Sequence, residues 1–232
     1  MTGTAQLPLA LEPRPALARE DFLVAPSNEI AVAWIDRWPD WPGPVLALYG
    51  PPGCGKTHLC QVWRALSGAV ALDAAGLARA EPPELLGAAR ACVLDGAEAA
   101  LGGEAERERR LLHLYNLLRE RGGHFLLTGR EAPARWPCAL ADLRSRLVAA
   151  QAVRLAAPDD ALMGALLVKL FADRQLRVST EVVRFVMARM ERSFEAARAL
   201  VAALDRASLA DRRALTVPLA RRVLEEYDSR RE

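Results

Sequence analysis

The chain has 232 residues, of which 52% are hydrophobic, enough to bury a sizeable core as one large domain or as a domain with a lid. Its 31 basic and 29 acidic side chains leave a formal net charge of +2, too balanced for a strong nucleic-acid footprint. No apolar run approaches membrane-spanning length and the N-terminus lacks the basic-then-apolar pattern of a secretory leader, so the sequence predicts a cytoplasmic protein with no membrane partner.

Cys54, Cys60, Cys92 and Cys138 form no C-x-x-C pair and are expected as reduced, mostly buried thiols. His58, His113 and His124 stand singly, which argues against a metal cluster.

Residues 1–20 carry Pro8, Pro13 and Pro15 without a helical period and read as a flexible tail. Within it, Gln6-Leu7-Pro8-Leu9-Ala10-Leu11 sets an amide beside alternating leucines. That pattern suits either docking into another protein's apolar groove or packing on its own domain. A helix is expected from Asn28 to Trp38, with Ile30, Trp34, Ile35 and Trp38 on one face and Ser27 as its cap. Pro39, Pro42 and Gly43 end it and lead to an apolar strand, Val45 to Tyr49.

The next eight residues organise the whole chain. Gly50-Pro51-Pro52-Gly53-Cys54-Gly55-Lys56-Thr57 matches the P-loop pattern, between that strand and a helix read from His58 to Leu66. The glycines let the backbone curl so that N–H groups and the positive helix end face phosphates. Lys56 would reach the terminal phosphates and the Thr57 hydroxyl would complete a Mg²⁺ shell.

Further strands are predicted at Ala69–Leu72, Ala91–Asp95, His124–Thr128 and Ala152–Leu155, with helices at Pro82–Ala88, Glu104–Arg121 and Ala139–Val148 between them. Five strands alternating with helices imply a parallel sheet wrapped on both faces. Asp95, at a strand end, is assigned to Mg²⁺ opposite Thr57, although Asp-Gly is also a turn signal. Gly96 follows where a second acid would polarise water, and Glu98 lies too far along, so self-hydrolysis is expected to be slow or absent. Thr128, at a strand tip, either senses the γ-phosphate or simply forms a turn before Gly129. The Glu106–Arg110 run reads as a solvated face.

From Pro158 onward the pattern is purely helical. Helices are predicted from Asp159 or Asp160, over Thr180–Met190, over Ser193–Arg206, and over Val217–Tyr227 behind Thr216. The domains are therefore a tail, 1–20, a nucleotide-binding base, 21–157, and an all-helical lid, 158–232.

A P-loop domain followed by a small helical bundle is the AAA+ layout. Gln6 to Leu11, Asp21-Phe22 to Asn28, the P-loop, Leu127-Thr128-Gly129-Arg130, Leu143-Arg144-Ser145-Arg146-Leu147 and Leu204-Asp205-Arg206-Ala207-Ser208 together resemble the Hda family, regulatory relatives of the bacterial replication initiator DnaA. The resemblance covers nearly the whole chain and implies the following. Gln6, Leu7, Leu9 and Leu11 would bind the DNA polymerase III sliding clamp. Arg146, with Arg144 as fallback, would be an arginine finger inserted at a neighbour's γ-phosphate. ADP, or ATP, would sit between base and lid with Gly50 to His58, Asp95 and Thr128 around it. A lid arginine should also touch the nucleotide, but the matching position is Glu195, with Arg192 and Arg198 flanking it three residues away on either side. The initiator's DNA-reading domain has no counterpart before Glu232, so sequence-specific DNA binding is not expected, and a homodimer covering Arg146 fits a family built on side-by-side contacts. The implied function is stimulation of ATP hydrolysis on DnaA in trans, from the clamp. The alternatives are a self-hydrolysing ATPase of helicase-loader or clamp-loader type using Asp95 and Glu98, and a non-catalytic adaptor of DnaA.

Overall fold

The computed structural model describes residues 23–103, 105–211 and 214–228. The Gln6–Leu11 tail lies outside them.

Five strands, β1 Val45–Tyr49, β2 Val70–Leu72, β3 Ala91–Leu94, β4 His124–Gly129 and β5 Gln151–Arg154, form one parallel sheet in the order β2-β3-β4-β1-β5. Side chains alternate between two apolar layers. Leu46 and Leu48 face α1 (Glu29–Asp36) and α2 (Lys56–Ser67), while Val45 and Ala47 face the layer of α3 (Ala74–Arg79), α4 (Pro82–Leu86), α5 (Ala105–Glu120) and α6 (Ala141–Ala149). Both faces are covered, which is why the strands read as continuous apolar runs. All four cysteines are buried and unbridged, and burial pushes the Cys92 thiol up to about 12. Among the described residues no helix is long and apolar enough to cross a membrane.

The remaining helices, α7 Asp160–Asp173, α8 Thr180–Met187, α9 Phe194–Asp211 and α10 Val217–Asp228, enclose a separate core around Leu167, Phe171, Val186, Val201 and Leu204. Local caps start three of them: Asp159 accepts from Leu162 N at 2.7 Å, Ser179 from Val182 N at 3.3 Å and Ser193 from Ala196 N at 3.0 Å. The chain entering the base also touches the lid, since Leu23 packs on the lid core.

Several expectations are corrected. Helix α1 starts at Glu29 behind Asn28, and the Ser27 hydroxyl is buried without a partner instead of capping it. Asn28 is itself committed to the preceding turn, accepting from Ala25 N and donating to Leu23 O. Helix α2 begins at Lys56, since the P-loop backbone feeds directly into its first turn. Helix α3 was not anticipated: six residues rich in alanine carry no apolar stripe, although Asp73, which accepts from Gly76 N, is a cap signal. Glu108, inside the run read as solvated, is 2% exposed. Strand β5 begins and ends one residue earlier than expected; α6 and α8 are shorter and α9 longer.

Candidate functional site

The P-loop leaves the carboxyl end of β1, at the edge where open α/β sheets bind ligands. Gly53 and Gly55 hold φ of +72° and +103°, a region that L side chains rarely enter. A Cβ on Gly53 would meet Ser193 Cβ at 2.2 Å, and Gly53 O accepts from Phe194 N at 3.2 Å. The lid helix α9 therefore begins directly on the P-loop. Lys56 Nζ donates to Gly50 O at 2.7 Å and Pro51 O at 2.8 Å, with Cys54 Sγ at 3.6 Å. The ammonium is curled into the loop, where phosphate oxygens would replace the carbonyls as its acceptors.

Sheet register sets the acid. Leu94 pairs with Leu127, so the next residues, Asp95 and Thr128, fall side by side at the strand tips. Thr57 Oγ1 donates to Asp95 Oδ2 at 2.8 Å, Thr128 Oγ1 to Asp95 Oδ1, and Gly96 N to Thr128 Oγ1 at 2.8 Å. Thr128 is 1% exposed. Its hydroxyl stands behind the acid, joining Asp95 to the Gly96 amide. Thr57 and Asp95 together offer hard oxygen donors suited to Mg²⁺, whose remaining positions phosphate and water would fill. Glu98 Oε1 instead accepts from Arg130 N and Glu131 N, both at 2.8 Å, which ties it to the loop after β4.

A cleft of about 540 Å³ opens between α2 and α9, lined by Lys56, Thr57, His58 and Gln61 from one side and Phe194 and Arg198 from the other. Arg198 Nη2 lies 3.1 Å from His58 Nδ1; an arginine only donates, so His58 accepts there. Burial lowers the pKa of Arg198. Arg192 precedes α9 and so does not share its face; it pairs with Asp160 at 2.7 Å. Of the two lid arginines, the fold brings only Arg198 into the cleft. Phe194 and Gln61 were missed in the sequence because nothing local marks them. A larger cavity, about 740 Å³, lies within the lid between α9 and α10 and shares Glu195 and Ala199 with the cleft.

Arg146 stands elsewhere. On α6, it makes a two-point contact with Asp142, Nε–Oδ1 3.0 Å and Nη2–Oδ2 3.1 Å, and lies 5.3 Å from the centroid of the Tyr115 ring. The Asp142 hydrogen bond raises its pKa. It lines a cavity with Pro42, Gly43, Pro44 and Val45, at the amino end of β1. The neighbouring Arg144 is exposed.

The fold matches solved replication initiators. Domain III of the Thermotoga maritima replication initiation protein DnaA superposes with a TM-score of 0.81 at 18% identity, covering 92% of this chain and 97% of that one. The family model described as the Hda lid domain matches residues 160–224.

The chain shares the fold of DnaA domain III and carries a lid that matches the Hda lid model.

The AMPPCP-bound DnaA of Aquifex aeolicus matches with a TM-score of 0.70 at 17% identity, over 82% of this chain and 65% of that one. A DNA replication initiation factor matches at 0.74 and 16% identity, over 85% and 66%. The chain thus spans about two thirds of those longer proteins. An uncharacterised protein of Haemophilus influenzae is 26% identical over 195 residues, 78% of this chain and 81% of that protein.

Proposed function

We propose that this protein is a nucleotide-bound regulator of replication initiation that acts on a neighbour's nucleotide. ADP, or ATP, with Mg²⁺ would occupy the cleft between α2 and α9: the Gly50–Gly55 backbone and Lys56 on the phosphates, Thr57 and Asp95 on the cation, Arg198 from the lid. Bound nucleotide then fixes the lid against the base, because both sides of the cleft touch it. Tethered to the DNA-loaded clamp through Gln6, Leu7, Leu9 and Leu11, the protein docks on ATP-bound DnaA and inserts Arg146. The guanidinium stabilises charge spreading over the γ-phosphoryl oxygens as the attacking water arrives. Hydrolysis leaves DnaA with ADP and re-initiation is repressed.

One observation carries this reading. Arg146 lies at the amino end of β1 while the P-loop leaves its carboxyl end, so the length of the strand, roughly 13 Å, separates the arginine from its own phosphates. A finger so placed serves a second molecule. Glu98, which a self-hydrolysing enzyme would need free, is spent on the backbone of Arg130 and Glu131.

The test is hydrolysis of labelled ATP pre-bound to DnaA, with and without this protein, on free DNA and on DNA carrying the clamp. Acceleration that needs the clamp and is lost in Gln6→Ala is expected. Binding without any change in the nucleotide state of DnaA would favour the adaptor instead, and steady turnover without DnaA would favour the self-hydrolysing ATPase.

A further inference from the structure

Helix α6, which carries Arg146, begins without a cap of its own. Its N-cap residue is Leu140, whose side chain accepts nothing, and the amides at a helix start need acceptors. The two residues that lead into it, Ala139 and Leu140, are held instead from another helix. Glu108 of α5 is 2% exposed. Its Oε2 accepts from Leu140 N at 2.7 Å and Ala139 N at 3.0 Å, while Oε1 accepts from Ala139 N at 3.1 Å and Gly102 N at 3.1 Å. The Cys138 thiol lies 3.8 Å from Oε2. Every partner is a donor, which suits a carboxylate and nothing else of that shape.

Two turns farther along α5, Tyr115 holds the Arg146 guanidinium. Asp142, in the first turn of α6 and two residues past Leu140, takes its other side. Residues seven apart on a helix share a face, so one face of α5 grips α6 at its start and at the arginine. Resting on the trans-acting role of Arg146 proposed above, we infer that Glu108 is a positioning residue for Arg146, fixing the first turn of α6 and with it the Asp142–Tyr115 seat of the guanidinium.

Glu108→Gln tests this, because it keeps the shape but turns an amide NH₂ toward backbone donors. In the full-length protein, the rate at which phenylglyoxal modifies Arg146 is followed by peptide mass spectrometry, with Arg144 as internal control. Hydrogen exchange of the amides of residues 139–145 is measured alongside. Loss of charge-assisted bonds to several amides predicts about tenfold faster modification and exchange there, with ADP affinity and Arg144 reactivity unchanged. Stimulation of DnaA-bound ATP hydrolysis should fall in Glu108→Gln, and Glu108→Gln added to Arg146→Ala should cause no further fall. Unchanged Arg146 reactivity and α6 exchange would overturn the inference whatever happens to DnaA. So would a stimulation equal to wild type in Glu108→Gln while Arg146→Ala abolishes it. If reactivity rises but Arg146→Ala leaves the DnaA rate untouched, the positioning stands and the functional reading falls. Should Glu108→Gln fail to fold, Glu108→Asp, charged but one methylene short, is read by the same measurements.

Discussion

Arg198 and His58 meet across 3.1 Å, and the contact joins the lid to the helix that the P-loop opens. A phosphate entering the cleft would find the guanidinium already on its rim, partly desolvated and held by a neutral imidazole. Arg198→Ala is therefore expected to weaken ADP binding about tenfold or more, the range of one charge-assisted hydrogen bond. Arg192→Ala, which removes only an exposed pair with Asp160, should leave the affinity within about twofold. Isothermal titration with ADP compares the two.

The junction between P-loop and lid is steric as well as polar. In Gly53→Ala the new Cβ would meet Ser193 Cβ at 2.2 Å in a left-handed backbone. Either the loop or the start of α9 must move, at a cost of about 1–2 kcal/mol for the backbone alone. Thermal melts with and without ADP should show a lower melting temperature and a smaller ADP-induced rise. Gly87→Ala, also at positive φ but with open space around its Cβ position, is the control that pays only the backbone part.

Acid should loosen the base through His124. Its ring meets Trp38 and Trp41 edge-on, at centroid distances of 6.1 and 5.5 Å. Burial lowers its pKa below the ordinary 6.5, against a hydrogen bond with Pro39 that raises it. A group whose folded pKa is depressed contributes fully above its unfolded value, and that contribution is lost as pH falls through the folded one. Denaturant midpoints followed by tryptophan fluorescence should hold between pH 7 and 8 and decline as the pH drops below about 6.5. His124→Gln should flatten the decline.

What the sequence made legible follows from physics that is local. Leu46, Leu48, Val45 and Ala47 read as a strand because both faces of β1 are covered, and the P-loop is a contiguous pattern between a strand and a helix. Glu108 was hidden because its neighbours Glu106 and Arg109 are solvent-facing charges that pair with each other; one inward carboxylate in such a run leaves no periodic mark. The choice between Arg192 and Arg198 turned on where α9 begins, and helix boundaries are what sequence defines least well. Phe194 and Thr128 take their roles from partners far along the chain: Gly53 for one, Asp95 for the other. Those meetings exist only once the lid closes on the base and β3 registers with β4.

On the function proposed above, the protein's own nucleotide site and Arg146 do separate jobs. One comparison of Arg146→Ala with the unchanged protein tests it: ADP affinity beside single-turnover hydrolysis of ATP pre-bound to DnaA on clamp-loaded DNA. Equal ADP affinity is expected, with a loss of stimulation of about a thousandfold or more, the range of an arginine finger supplied in trans. Stimulation that survives the substitution would contradict it.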